Sequence, residues 1–193
     1  MKSFLWFLLV IVVIVILFLL VGLLSPGQKS TDEIVIQAPT EYVWSQYLDK
    51  SLMPDWMPGL KSISLVNGQE GEAGAEYVIN LSSINEGESI MNQTVTEIIE
   101  YDTYGFDFDS DHLIGNTLMQ FSAQGDTATV VKAINEYTGK ETWTTALLQI
   151  FRQGIDKNSM AQYNSLKEMI ESNYLNTLSN NELNKSDTIE VVK

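Results

Sequence analysis

The sequence predicts an α+β protein in which a curved antiparallel β-sheet surrounds a long carboxy-terminal helix and a single transmembrane helix precedes both. Three observations predict this. Phe4 to Leu24 is an unbroken apolar run of 21 residues without a charge. From Leu60 to Tyr137, short alternating segments are separated by tight turns. From Trp143 to Tyr174, apolar residues recur at helical spacing. The expected organisation is an anchor and short linker over 1–29, one globular domain over 30–174 and a flexible tail over 175–193.

The first run is long enough, at about 1.5 Å per residue, to cross roughly 30 Å of hydrocarbon. It exceeds the apolar core of about 7–15 residues in a secretory signal peptide, which argues for its retention. Its partner is therefore expected to be a lipid bilayer, met through residues 4–24. Ser25-Pro26-Gly27 ends the helix and opens a polar linker. Glu33 to Ala38 alternates as a strand until Pro39 stops it. Thr40 is placed to cap a helix carrying Val43, Trp44 and Tyr47, and a second short helical piece spans Ser51 to Trp56, kept brief by Pro54 and Pro58. Six strands are then expected: Ile63 to Val66, Ala75 to Leu81, Met91 to Ile99, Tyr104 to Phe108, Asn116 to Ala123 and Thr127 to Tyr137. In the fourth of these, Tyr104, Phe106 and Phe108 point one way while Gly105, Asp107 and Asp109 point the other. The long helix follows, with Gly154 a site for close packing, a kink or a break. Beyond Asn176 the core pattern fades, leaving a frayed end with a local extended segment at Ile189 to Val192.

Charge narrows the function classes. All 25 acidic residues follow the apolar run, against nine Lys or Arg from Ser30 onward. A nucleic-acid partner needs a positive footprint and is not expected, and neither is a domain lying flat on anionic lipid. Without cysteine there is no disulfide, thiolate nucleophile or thiol metal site. Gly68 to Gly74 lacks the lysine and hydroxyl residue of a phosphate loop, and Glu70 and Glu72 would repel phosphate. His112, the single histidine, falls in a polar turn. Asp107, Asp109 and Asp111 beside it lack the glycine and terminal glutamate of a calcium loop and read as a wet acidic edge, so no metal site is assigned. No cofactor is expected. Lys2 precedes the apolar run, while Lys29 after it is soon offset by Asp32 and Glu33, a bias that favours an extracytoplasmic domain.

Four local sequences occur in a telling order: Ile36-Gln37-Ala38-Pro39 leading to Val43-Trp44; Trp56-Met57-Pro58-Gly59-Leu60-Lys61-Ser62; Gly68-Gln69-Glu70-Gly71-Glu72-Ala73-Gly74; and Leu166-Lys167-Glu168-Met169-Ile170-Glu171. In that order, over Thr31 to Asn173, the chain resembles the START-like, or helix-grip, superfamily. The resemblance is strongest to the polyketide cyclase/dehydrase and lipid-transport group of bacterial SRPBCC proteins. It implies a helix-grip fold with a ligand cavity between sheet and long helix; with the apolar run placed before that fold, the expectation is a single-pass protein of a bacterial inner or plasma membrane. Carried onto this chain, the cavity would be lined by Trp44, Tyr47, Trp56, Tyr77, Phe106, Phe108, Met119, Trp143, Leu147 and Phe151.

The function this implies is membrane-tethered binding of a hydrophobic or amphipathic small molecule, without catalysis. One alternative is a cyclase- or dehydrase-like enzyme, for which His112 and Arg152, the sole arginine, are the candidate catalytic groups. Another is a structural or interaction domain whose cavity is filled by its own side chains.

Overall fold

A computed structural model describes residues 2–82 and 87–190. Helix α1 (Lys2–Leu24) is apolar from Phe4 onward, and Ser3–Leu24 is long and apolar enough to cross a membrane. Strand β1 (Gln28–Ile36) starts earlier than the residue alternation suggests, because its first residues pair with a late strand. The link from α1 is thus only Ser25-Pro26-Gly27. Gly27, at φ 95°, makes the turn where a Cβ would stand 2.9 Å from the Tyr137 carbonyl oxygen.

Helix α2 (Thr40–Leu48) buries Val43, Trp44 and Tyr47. Thr40 does not cap it: Pro39 occupies that position, and the Thr40 hydroxyl meets the Thr129 hydroxyl at 3.2 Å. A 3-10 turn (Lys50–Leu52) and the short helix α3 (Met53–Trp56) complete the corner. Six strands follow: β2 (Leu60–Asn67), β3 (Glu76–Ser82), β4 (Glu88–Ile99), β5 (Thr103–Ser110), β6 (Leu113–Ala123) and β7 (Thr129–Gly139). All seven strands form one antiparallel sheet in the order β1-β7-β6-β5-β4-β3-β2. Consecutive hairpins generate β2 to β7, and β1 closes onto the last of them, leaving β1 and β2 as the edges.

The carboxy-terminal helical region departs from a single helix. Helix α4 (Thr142–Ile150) ends at Phe151, whose φ of −97° and ψ of 11° leave the helical region, and α5 (Arg152–Glu190) begins at once. The break comes before Gly154, which has open space around it. No Gly or Pro interrupts the chain after Gly154, so α5 continues through the stretch expected to fray. Of the extended segment expected at Ile189 to Val192, Ile189 and Glu190 belong to α5 and 191–192 lie outside the described residues.

Helix α5 packs on β1, α2 and α3. Its Leu166 and Ile170 are fully buried with Ile36, Val43, Ile79 and Met119, forming one core between the helix and a single face of the sheet. The opposite sheet face carries Asp107, Asp109 and Glu136, all exposed.

Candidate functional site

Strand alternation aims three aromatic side chains of β5 at α5, and the register determines what stands beside each. Tyr104 pairs with Met119, Phe106 with Thr117 and Phe108 with Gly115; Thr117 in turn pairs with Asn135 and Gly115 with Tyr137. Gly115 is where Phe108 and Tyr137 close over bare backbone: a Cβ there would lie 2.8 Å from Phe108 Cζ and 2.6 Å from Tyr137 Cβ. Between this face and α5 lies a cavity of about 450 Å³.

The cavity has two unlike walls. One is apolar, made by Trp56, Leu81, Met91, Phe106, Phe108 and Met119. Trp56 stacks on Tyr47 with ring centroids 5.9 Å apart, and Tyr104 and Phe106 pack at the same distance. The other wall is polar: Ser30, Thr117, Asn135, Ser159, Gln162 and Tyr163. Thr117 Oγ1 donates to Asn135 Oδ1 at 2.9 Å, and the Tyr163 hydroxyl donates to the same oxygen at 3.4 Å. Asn135 Nδ2 donates to Ser30 Oγ at 3.4 Å, while Ser159 donates to the buried Asp32 carboxylate at 2.8 Å. This network fixes the amide orientation and leaves a preorganised polar surface facing an apolar one. Among the described residues the lining contains no charged side chain. Its titratable groups are Tyr47, Tyr137 and Tyr163; burial pushes all three phenols up, so they stay neutral. Pro58 and Asn158 are the exposed members of the lining and mark where the cavity opens.

Five sequence-predicted ligand residues lie here: Tyr47, Trp56, Phe106, Phe108 and Met119. The other five do not. Trp44 packs edge-on against Phe121 at 5.2 Å within the core. Tyr77 lines a separate cavity of about 290 Å³ with Lys50, Glu70 and Tyr104. Trp143, Leu147 and Phe151 fall outside the lining: on α4 it is Leu148 that points in, while Trp143 and Phe151 are 45% and 62% exposed. Both candidate catalytic groups are also outside. His112 is exposed, its ring 5.9 Å from Trp143. Arg152 donates to the Lys29 carbonyl at 3.4 Å and lies 3.8 Å from Asp156.

Sequence reasoning missed the polar wall. Strand alternation carries part of the signal, since Thr117 and Asn135 share the inward phase of Met119 and Ala133 on β6 and β7. Lys50 was also missed. Its ammonium stands 5.2 Å from the Tyr77 ring centroid and 5.3 Å from that of Tyr104. Burial holds its pKa below the usual lysine value, with nearby Glu70 opposing that shift.

Known structures share this fold. A conserved protein from Geobacillus kaustophilus aligns at TM-score 0.64 and 18% identity, covering 75% of this chain and 96% of its own. A START superfamily protein from Mycobacterium smegmatis aligns at 0.63 and 13%, covering 76% and 99%. The Zhui aromatase/cyclase from Streptomyces sp. R1128 aligns at 0.61 and 10%, covering 75% and 93%. At these identities the likeness is one of fold. No curated protein sequence matches the chain. Residues 27–162, from the turn after α1 to the polar wall on α5, match the model of the family described as polyketide cyclase / dehydrase and lipid transport, and the chain belongs to that family.

Proposed function

We propose that this protein binds an amphipathic small molecule of lipid-like character in the cavity between sheet and α5, and holds it beside a membrane that α1 crosses. The observation that carries this reading is the pairing of an apolar aromatic wall with a hydrogen-bonded polar wall that bears no charge among the described residues. Removing a ligand's apolar surface from water supplies affinity at about 25 cal/mol per Å², and the polar wall orients its headgroup or ring oxygens. General acid–base chemistry needs a titratable group within reach of the substrate. His112 and Arg152 lie outside the cavity, and the titratable groups of its lining among the described residues are three phenols that burial keeps neutral, so the geometry favours a binding module over an enzyme.

Purification of the full chain in mild detergent, followed by solvent extraction and mass spectrometry, tests the reading. A reproducible lipid-like species is expected with the wild type. Its yield should fall several-fold in Gln162→Trp, which fills the cavity from the helix side and leaves the Thr117–Asn135–Tyr163 network in place. An extract free of small molecules, or equal yields from both proteins, would exclude it.

A further inference from the structure

The packing of α1 against α4 is unusually close. Along α1, Phe18 and Gly22 are its covered positions, four residues apart on one face. A Cβ on Gly22 would overlap the Thr142 carbonyl oxygen and meet the Ala146 methyl at 3.1 Å. One turn further, Gln149 Nε2 reaches the Ser25 hydroxyl and donates to the Gly27 carbonyl at 3.0 Å. The contacts run from Thr142 to Gln149, so α4 lies beside the emerging end of α1 and the link that follows.

Helix α4 contains no charged residue. Its inner side, Thr144, Thr145, Ala146 and Leu148, is buried, with Thr145 Oγ1 donating to the Gly139 carbonyl at 3.2 Å. Its outer side carries Trp143, Ile150 and, at its end, Phe151, which are 45%, 59% and 62% exposed. On the neighbouring last turns of α1, Leu20, Leu23 and Leu24 are exposed as well. In water such a surface is costly. Lys140 and Glu141 precede α4 and Arg152 follows it, so charges flank both ends of the apolar stretch.

We propose that α4 is a second membrane contact: it lies in the bilayer interface beside the emerging end of α1, with Trp143, Ile150 and Phe151 inserted among the lipids. The proposal rests on the reading of α1 as membrane-spanning. A helix lying in this way buries its apolar face about 5–10 Å into the headgroup boundary, a depth at which Trp is favoured. Because Phe151 joins directly to α5, the first turns of α5 are held at the lipid surface. Asn158, the exposed member of the cavity lining on this helix, lies two turns beyond Phe151. A lipid-like ligand would therefore exchange between bilayer and cavity over a short path with little passage through water.

The absence of cysteine allows a direct test. Single variants Val13→Cys, Phe151→Cys and Glu168→Cys of the full chain, all at exposed positions, are labelled with an environment-sensitive fluorophore and reconstituted in phosphatidylcholine vesicles. Each is then quenched by aqueous iodide and by lipid-borne nitroxides. The label at position 13 should respond to acyl-chain nitroxide and the label at 168 to iodide. The label at 151 should respond to headgroup-level nitroxide, with iodide quenching several-fold weaker than at 168. If position 13 is in lipid and position 151 is as open to iodide as 168, the α4 contact is overturned while the α1 reading stands. If position 13 is itself open to iodide, both are overturned.

Discussion

Lys50 sits between the rings of Tyr77 and Tyr104 in its own small cavity, and burial lowers its pKa there. A lysine whose folded pKa is depressed destabilises the protein while it must stay protonated. That cost is relieved as pH rises from its folded midpoint towards the ordinary value near 10.5. Tyrosines act with the opposite sign. The phenols of Tyr47, Tyr77, Tyr104 and Tyr163 are all raised by burial, so the stability they contribute is present below about 10 and lost above it. Thermal unfolding followed across this range should therefore show wild-type stability gaining on Lys50→Met as pH approaches 10, with both proteins losing stability beyond it. A constant difference between the two would show that Lys50 has an ordinary pKa. None of this is legible from a lysine after a helix, because the two rings that enclose Lys50 come from β3 and β5, 27 and 54 residues away.

At the scale of elements, strand alternation was a dependable guide: the inward phase of Tyr104, Phe106 and Phe108 was readable, since side chains in a strand have no other option. Helical periodicity was less so. The apolar residues from Trp143 to Tyr174 suit one continuous helix, yet α4 and α5 meet at a break, and Trp143 and Phe151 face outward. A spacing of three or four residues survives a local break, so the pattern did not reveal it. The α1–α4 seam was equally hidden, because in an apolar run Gly22 looks like one more small residue. Gly22→Leu should force the two helices apart, since its Cβ alone already overlaps the Thr142 carbonyl. Limited proteolysis at Ser25-Pro26-Gly27 should then be several-fold faster than in the wild type. An unchanged rate would mean that the seam does not hold the link.

For the whole molecule, β1 begins at Gln28 and pairs from there with Tyr137, so the sheet does not require α1. Deleting residues 1–26 should leave a domain that unfolds cooperatively by circular dichroism but self-associates in light scattering, since the outer face of α4 and its seam with α1 are then open to water. Adding Ile150→Asp and Phe151→Asp should restore a monodisperse species; persistent association would place the sticky surface elsewhere. The sequence by itself determined the long apolar helix, the number and order of the strands and the class of fold, because each rests on local periodicity and turn chemistry. Only the tertiary structure decided which side chains face the cavity, that one wall is polar, and that α4 lies against α1. Those depend on strand register and helix phase, which bring together residues as distant as Ser30, Asn135 and Tyr163 and leave no local trace in the chain.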